Sequence, residues 1–288
     1  LGKHSKLTGL NHLADLISSV LASRRNSTMF RNIRANQWVV SGEKLSMSQL
    51  EQYTRETIRN VVVSLAEYFY YYQHPEEGKK KIVLSPTAEE AMRDIVDRKV
   101  PTLLLGPHLG NYDLFGMSIS WLGIKPYVLS YPNPNNAYKA QNSMREALGM
   151  SVNPISFSSF REAKKALKEG YSVVTGIDRP LPEGSDAKYR PHFFGREAAL
   201  PVFYGRLALE TNAVVRVACG VRNEDGLYFV DATDPIPMEK RNDLVEENVF
   251  NAESVLRPTE KFIRKAQSQW CMLHPVWPEV LPVLNQIT

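Results

Sequence analysis

The sequence has few cysteines and no long apolar run. Its 288 residues include only two cysteines, Cys219 and Cys271, and their spacing is not that of metal ligands. We therefore expect a reducing compartment, and a single disulfide between these two cysteines is the alternative. The strongly apolar stretches are about ten residues, as at 114–124, well short of the roughly 18 to 20 residues that span a bilayer. Because the sequence begins with Leu-Gly-Lys rather than Met, we expect it to be trimmed, and the presence of an anchor or targeting segment ahead of Leu1 is left open.

The charge is nearly balanced, and the common catalytic motifs are missing. Lys and Arg number 35 against 31 Asp and Glu, a net charge of +4 that does not indicate nucleic-acid binding but suits an anionic lipid surface or a phosphorylated substrate. There is no G-x-S-x-G elbow, P-loop, G-x-G-x-x-G or H-E-x-x-H, and no metal site is expected. These absences disfavour serine hydrolases, P-loop enzymes and zincins, and they leave chemistry driven by a general base or by electrostatic stabilisation of the bound substrate.

Hydrophobic periodicity divides the chain near residue 100. Residues 1–99 have helical spacing, with a predicted capping box at Ser48 and Glu51 and a helix start at Ser85-Pro86. After residue 100, short apolar runs alternate with amphipathic segments. The predicted strands are 102–105, 127–131, 171–177, 213–221 and 228–232. The predicted helices include one capped by Ser159 and Glu162 and one over 253–269. We therefore predict an α/β fold, a largely parallel twisted sheet flanked by helices, with residues 1–99 as a helical region packed on a core of residues 100–288.

The most informative segment follows the first predicted strand of the core. It reads Gly-Pro-His-Leu-Gly-Asn-Tyr-Asp at residues 106–113, with His108 at a strand end and Asp113 in a new helix. Ligands of open α/β sheets bind at the carboxyl ends of strands, so His108 lies where a substrate is expected. Asp113 can reach back to accept from the imidazole, and Gly110 allows close backbone approach. A helix-capping Asp beside an incidental His explains this spacing equally well.

Five blocks in order resemble a known family. His-Leu-Gly-Asn-Tyr-Asp at 108–113 is similar to the H-x-x-x-x-D/E motif of glycerolipid acyltransferases. The blocks at 145–150 (Arg-Glu-Ala-Leu-Gly-Met), 176–179 (Gly-Ile-Asp-Arg), 193–195 (Phe-Phe-Gly) and 269–277 (starting Gln-Trp) resemble the branch that contains lipid A biosynthesis acyltransferases and phosphatidylinositol mannoside acyltransferase. The resemblance covers about residues 100–277.

This resemblance implies an acyltransferase that moves a fatty acyl group from an acyl-CoA or acyl carrier protein thioester to a hydroxyl of a lipid or glycolipid, with no cofactor beyond that donor. His108 matches the family's general base, and Asp113 matches its orienting acid. The substrate-binding residues implied in the same way are Gly110, Asn111, Arg145, Asp178, Arg179 and Gly195. Arg179 stands where Gln is usual, which leaves the acceptor open.

Two alternatives and a location accompany this interpretation. The same base could activate water, giving a thioesterase, or the chain could be a catalytically silent lipid-binding protein. A lipid acceptor without a spanning segment predicts peripheral, electrostatic binding at the cytoplasmic face of the inner (plasma) membrane. The predicted contact consists of Arg24, Arg25, Arg31 and Arg34 around Met29 and Phe30.

Overall fold

The computed structural model describes residues 7–182 and 188–287. The N-terminal part is mainly helical and contains one short strand. Its elements are α1 (Leu7–Ser23), α2 (Thr28–Val40), α3 (Met47–Gln73), α4 (Pro75–Lys79), β1 (Ile82–Leu84) and α5 (Pro86–Val96).

Strands and helices alternate through the rest of the chain. The first group comprises β2 (Thr102–Gly106), α6 (Tyr112–Trp121), β3 (Tyr127–Ser130), α7 (Asn136–Ala147), β4 (Ser151–Pro154), α8 (Phe157–Lys168) and β5 (Val173–Gly176). The second group comprises β6 (His192–Phe193), β7 (Arg196–Glu197), α9 (Phe203–Thr211), β8 (Val214–Arg222), β9 (Tyr228–Ala232), α10 (Leu244–Lys265), a 3-10 turn (Gln267–Gln269) and α11 (Val280–Ile287).

A seven-stranded sheet in the order β1-β9-β8-β2-β5-β3-β4 forms the centre of the described part. Strands β8, β2, β5, β3 and β4 are parallel, whereas β9 runs antiparallel to β8 and carries β1 beside it. Buried aliphatic side chains of β2 and β8 pack against α8, α9 and α10 on one face, and α5 and α6 cover the other. The predicted α/β class with a largely parallel, helix-flanked sheet is confirmed.

Helix starts differ from the predictions wherever several polar side chains compete as caps. Ser85 caps α5 with Pro86 in its first turn, as predicted. The capping box of α3, however, is Ser46 with Gln49, and Ser48 lies inside the helix. Similarly, the N-cap of α8 is Ser156, and Ser159 is the third residue of the box: its backbone N donates to Ser156 Oγ, and its own Oγ accepts from Ser156 N. In both cases the helix begins earlier because a serine upstream accepts the first free backbone N–H.

Other boundaries also differ from the predictions. Helix α10 begins at Leu244, capped by Asp243, and continues through Pro258 because its buried face packs on the sheet. Strand β1 was predicted as part of a helical region, and β4 was not predicted. Strand β1 has only three residues, and β4 (Ser-Val-Asn-Pro) contains a single aliphatic residue, so neither has the apolar run from which the other strands were predicted.

Helix α2 ties the N-terminal region to the end of the chain. The Asn36 side chain donates to the carbonyls of Met272 (3.1 Å) and His274 (2.8 Å) and accepts from Val276 N (3.0 Å). Val39 and Val40 lie in the same hydrophobic cluster as the C-terminal tryptophans. The N-terminal helices therefore share a core with the α/β part.

Two residues of the predicted arginine-aromatic membrane contact are buried, whereas Arg24, Arg25 and Arg31 are exposed. Phe30 is 0% exposed and packs against Ile33 and Ile58, and Arg34 is only 8% exposed. The predicted contact is therefore wrong for these two residues, because α2 turns that side toward α3. Among the described residues, no helix is both long and apolar enough to cross a membrane.

Candidate active site

His108 and Asp178 meet because their strands are neighbours in the sheet. Strands β2 and β5 pair in parallel with Gly106 opposite Gly176, so the residues after each strand emerge at the same edge. A Cβ atom on Gly176 would lie 3.2 Å from His108 Cε1, which shows how closely the imidazole approaches β5. The predicted position of His108 at a carboxyl-terminal strand end is thus found in the structure.

Asp178 accepts three hydrogen bonds. Its Oδ1 atom lies 2.6 Å from His108 Nδ1, and its Oδ2 atom accepts from the backbone N of His108 (2.8 Å) and from Nε1 of Trp270 (2.7 Å). Residues 269–277 form what we call the closing segment, and the backbone N of its Cys271 donates to His108 O (2.8 Å), which fixes the turn against this segment. The imidazole also stands edge-on to the Tyr112 ring, with centroids 4.8 Å apart.

These hydrogen bonds define the chemical state of the pair. Burial by itself raises the pKa of the fully buried Asp178 carboxyl, but the charge of His108 and the three hydrogen bonds outweigh burial and hold the pKa below its ordinary value. An ionised carboxylate accepts a hydrogen bond from a protonated nitrogen, so in the neutral imidazole Nδ1 carries the hydrogen and Nε2 keeps its lone pair. The His108 side chain is 23% exposed. This arrangement is that of an imidazole base oriented by a carboxylate.

Asp113 does not contact the imidazole, contrary to the expectation from the sequence. Its Oδ1 atom accepts instead from Arg145 Nη2 at 2.5 Å, and Arg145 also donates to Asn142 Oδ1 at 2.7 Å. Burial lowers the pKa of Arg145, but the adjacent Asp113 carboxylate outweighs it and raises the pKa above its ordinary value. The reason for the difference is geometric, because Asp113 lies on α6 and is turned toward α7, while Asp178 already occupies the Nδ1 side.

Gly110 and Asn111 shape the turn that follows His108. Gly110 has φ +62°, and a Cβ atom there would lie 2.0 Å from the carbonyl oxygen of Gly220. Asn111 caps α6 by accepting from Leu114 N (3.0 Å) and donates to Ser64 O (3.0 Å). Neither residue lines the cavities described below, so both support the turn rather than contact its open side.

Arg179 and Gly195 differ in their relation to the site. The Arg179 guanidinium lies 3.7 Å from the centre of the Tyr131 ring and lines the space around His108. Gly195, with φ +77°, forms the tight turn between β6 and β7 and lines neither cavity. The contribution of the Phe-Phe-Gly block is packing, because Phe193 stacks on Trp277 (5.7 Å between centroids) and meets the edge of Trp270 (6.0 Å).

Two cavities meet at His108. The smaller cavity, about 250 Å³, lies between the sheet and α6, and its apolar lining includes Leu104, Phe115, Ile119, Val128 and Met150. The larger cavity, about 910 Å³, lies beside α8 and α9, and its apolar lining includes Ile155, Phe157, Phe160, Val202, Phe203 and Leu207. His108, Thr175, Gly176 and Arg179 line both.

One further histidine lies at the smaller cavity. Burial lowers the pKa of His274, and nearby Arg179 and His108 lower it further, which favours a neutral ring. Sequence patterns did not single out His274, because the residues around it, Arg179 and His108, come from distant parts of the chain. Within residues 7–182 and 188–287, no group of three His, Cys, Asp or Glu side chains is placed to bind a metal ion.

The comparison with known proteins agrees with this geometry. No individually curated protein is significantly similar to the chain. The sequence model of one family, described as bacterial lipid A biosynthesis acyltransferase, matches residues 9–279. Because this match covers nearly the whole chain, including the N-terminal helices, the protein belongs to the lipid A biosynthesis acyltransferase family and is an acyltransferase enzyme.

Proposed function

We propose that the protein moves a fatty acyl group from an acyl-CoA or acyl carrier protein thioester to a hydroxyl of a lipid or glycolipid, with His108 as general base. The observation that carries the proposal is the His108–Asp178 pair at the junction of two apolar-lined cavities. Asp178 takes the orienting role that the sequence suggested for Asp113. Family membership supports acyl transfer, and the pair supplies the base that such a reaction needs.

The reaction follows from the tautomer of His108. Nε2 removes the proton of the acceptor hydroxyl as its oxygen attacks the thioester carbonyl carbon, and the tetrahedral intermediate collapses when the C–S bond breaks. The imidazolium then returns its proton to the departing thiolate. The buried Asp178 carboxylate stabilises the imidazolium formed in the first step. Helix α6 begins at Tyr112, just after this turn, so the positive end of its dipole lies near the developing oxyanion.

The larger cavity suits a donor that carries phosphate. Its described lining holds four cationic side chains and one carboxylate: Arg161, Lys164, Arg179, Arg206 and Glu210. Lys164 and Arg206 both pair with Glu210, which leaves the charge of Arg161 and Arg179 without a carboxylate among those lining residues. Coenzyme A and acyl carrier protein share a phosphopantetheine arm, whose phosphate such a cluster attracts. The smaller, apolar cavity then suits an acyl chain.

The donor assignment is tested with truncated thioesters. Arg161→Ala should raise KM for acyl-CoA several-fold and leave KM for an acyl-pantetheine without phosphate unchanged. Arg257→Ala, an exposed arginine of α10 outside both cavities, is the control. An equal rise in KM for both donors would contradict a phosphate contact at Arg161.

The reaction itself is tested with His108→Ala. The enzyme is incubated with lipid extract and with a labelled acyl group carried either by CoA or by acyl carrier protein, and the products are resolved by mass spectrometry. Loss of a general base typically lowers the rate by about 10² to 10⁴, so we expect transfer to fall by at least this factor while circular dichroism stays unchanged. Turnover near that of the wild type in folded His108→Ala protein would contradict the assignment.

The same assay separates the alternatives. Because His108 is 23% exposed, water can reach it, and free fatty acid released at equal rates with and without acceptor would identify a thioesterase. Binding of the thioester without any product would identify a silent lipid-binding protein. Since both thioester carriers are cytoplasmic and the acceptor is a lipid, we place the reaction peripherally at the cytoplasmic face of the inner membrane.

A further inference from the structure

Helix α1 presents an apolar stripe to solvent. Leu13 (43% exposed), Leu16 (64%), Ile17 (42%) and Val20 (50%) recur at the spacing that places residues on one face of a helix. On the opposite side, Ala14, Ser18 and Ala22 are buried. An amphipathic helix normally turns its large side chains inward and its small polar residues outward, so α1 has the reverse arrangement.

Helix α3, which packs along α1, adds to the apolar surface. Leu65 and Phe69 lie one helical turn apart on α3 and are 43% and 42% exposed. Scattered apolar residues are normal on protein surfaces, but several on adjoining helices mark a contact with a membrane or another protein.

The two ends of α1 pack near elements that line the smaller cavity. Near its start, α1 packs with Leu10 in a cluster that contains Met144 and Leu148 of the α7 region. Near its end, Leu21 packs in a cluster with Leu273, which lines the smaller cavity beside His108. Helix α1 therefore packs at one end with the α7 region and at the other with the closing segment, and both of these elements contribute lining residues to the smaller cavity.

The charge around the stripe favours an anionic surface. Residues 7–40 contain one acidic side chain, Asp15, and four arginines, a balance of 4 − 1 = +3. Asp15 is paired with Arg59 at 2.7 Å and Arg25 with Glu51 at 3.0 Å, so these two side chains are already neutralised. Arg24 and Arg31 are exposed at the end of α1 and in α2. Two copies of this surface facing each other would bring like charges together, whereas anionic headgroups would neutralise them.

We propose that the exposed face of α1, formed by Leu13, Leu16, Ile17 and Val20, inserts into an anionic lipid leaflet and holds the active-site entrance at the membrane surface. The inference deepens the proposed function, on which it rests for the identity of the acceptor as a lipid. In this proposal the apolar residues of α1 take the place of Phe30 and Arg34 in the predicted membrane contact, because those two side chains are buried. Exposed arginines attract the protein to the leaflet, and the stripe retains it there.

Vesicle co-sedimentation tests the surface. We compare wild type, the double variant Leu16→Ser with Val20→Ser, and the control Leu244→Ser, whose side chain is 44% exposed at the start of α10. On anionic phosphatidylglycerol vesicles, losing two half-exposed aliphatic side chains should lower the partition coefficient by about 10- to 100-fold, at low and high salt alike. The control should bind as wild type does. Equal binding by the double variant, or an equal loss in the control, would overturn the proposal.

Site-specific labelling provides a direct readout. Cys219 and Cys271 are both buried, so Leu16→Cys introduces a uniquely accessible thiol for an environment-sensitive fluorophore. Anionic vesicles should shift the emission of this label to the blue and leave a label at Leu244→Cys unchanged. No shift at position 16 would overturn insertion. A wild-type dimer in sedimentation that Leu16→Ser dissociates would overturn it in favour of self-association.

Activity in detergent separates this inference from the proposed function. With a short-chain donor and a detergent-solubilised acceptor, the double variant should turn over as fast as wild type, because α1 lies outside the described lining of both cavities. Equal loss of activity in detergent would overturn a role confined to docking. Wild-type protein that inserts α1 into vesicles but transfers no acyl group would disprove the proposed function and leave the docking surface standing.

Discussion

Two carboxylates near His108 have different partners and therefore different expected roles. Asp178 bonds to Nδ1 of the imidazole, and Asp113 bonds to Arg145. Both are aspartates in motif blocks, but only the first is placed to select the tautomer that leaves Nε2 free. Substitutions that keep the size of the side chain separate the two roles.

Asp178→Asn should disable the base while keeping the fold. The Oδ2 position receives two N–H donors, so the amide oxygen should occupy it and the NH₂ group should face Nδ1. Nδ1 must then accept, which moves the hydrogen to Nε2 and removes the base. We expect kcat to fall by about 10²- to 10⁴-fold with far-UV circular dichroism unchanged.

Asp113→Asn is the matched comparison for that experiment. It leaves the hydrogen bond between Asp178 and His108 Nδ1 intact but removes the carboxylate that pairs with the buried Arg145. The protein should therefore lose stability, while kcat should fall less than in Asp178→Asn. Steady-state kinetics and urea unfolding measure the two effects. A larger loss of kcat in Asp113→Asn would restore Asp113 as the orienting acid.

At the scale of elements, the turn between β2 and α6 depends on the absence of a side chain at Gly110. Gly110→Ala combines a left-handed φ of +62° with a Cβ position 2.0 Å from a backbone oxygen, so the backbone itself must move. Gly123→Ala has a similar φ, +86°, with no atom within 4 Å, and should cost only about 1 to 2 kcal/mol of unfolding free energy. Chemical denaturation should show a clearly larger loss for Gly110→Ala, together with lost activity. Equal losses would contradict the close approach of the turn to β8.

A second contact between elements involves a buried acid that the proposed reaction does not use. Glu67 of α3 is 1% exposed, accepts from the Tyr228 hydroxyl of β9 and lies 3.4 Å from Arg222 Nη2. Burial raises the pKa of the Glu67 carboxyl above its ordinary value of 4.5, although Arg222 and the Tyr228 bond oppose the rise.

The raised pKa predicts the sign of a pH dependence. As pH rises above about 4.5, the unfolded state loses the Glu67 proton first and the folded state still holds it, so this group's contribution to stability falls until the folded pKa is passed. A difference of one pKa unit between the folded and unfolded states corresponds to about 1.4 kcal/mol of unfolding free energy. Urea unfolding between pH 4.5 and 8 should therefore show a steeper decline for wild type than for Glu67→Gln. A steeper decline in the variant would reverse the direction assigned to this pKa.

At the scale of the whole molecule, the N-terminal helices and the α/β part should unfold together. Asn36 of α2 bridges to the closing segment through three buried or half-buried hydrogen bonds, and that segment also carries Trp270, the donor to Asp178. Removing one side of such a network leaves several backbone groups unpaired. Tertiary contacts therefore connect the first helices to the His108–Asp178 pair across more than 200 residues of sequence.

Asn36→Ala tests this cooperativity. We expect a loss of about 2 to 4 kcal/mol in unfolding free energy, with coincident transitions by tryptophan fluorescence and far-UV circular dichroism. Asn153→Ala, whose side chain bonds only to nearby Ser151, should shift the transition little. Two separate transitions in wild type would show instead that residues 1–99 fold independently of the core.

The sequence by itself determined the features that depend on neighbours along the chain. Alternating periodicity established the α/β class, Ser85 and Pro86 marked a helix start, and the segment 106–113 placed His108 at a strand end. Five motif blocks in order resembled the lipid A biosynthesis acyltransferase family, and the family match over residues 9–279 confirmed this resemblance. Each of these inferences draws on residues within a few positions of one another or on their order.

Only the tertiary structure decided which distant groups meet and which faces are covered. Periodicity carries no information about strand order, so it could not reveal that β5 lies beside β2 and brings Asp178 to His108. Burial of Phe30 and exposure of Leu16 likewise depend on how α1 and α2 pack on α3, since one amphipathic pattern fits either orientation. Local sequence encodes elements, whereas the free energy of packing between them selects the partners of each side chain.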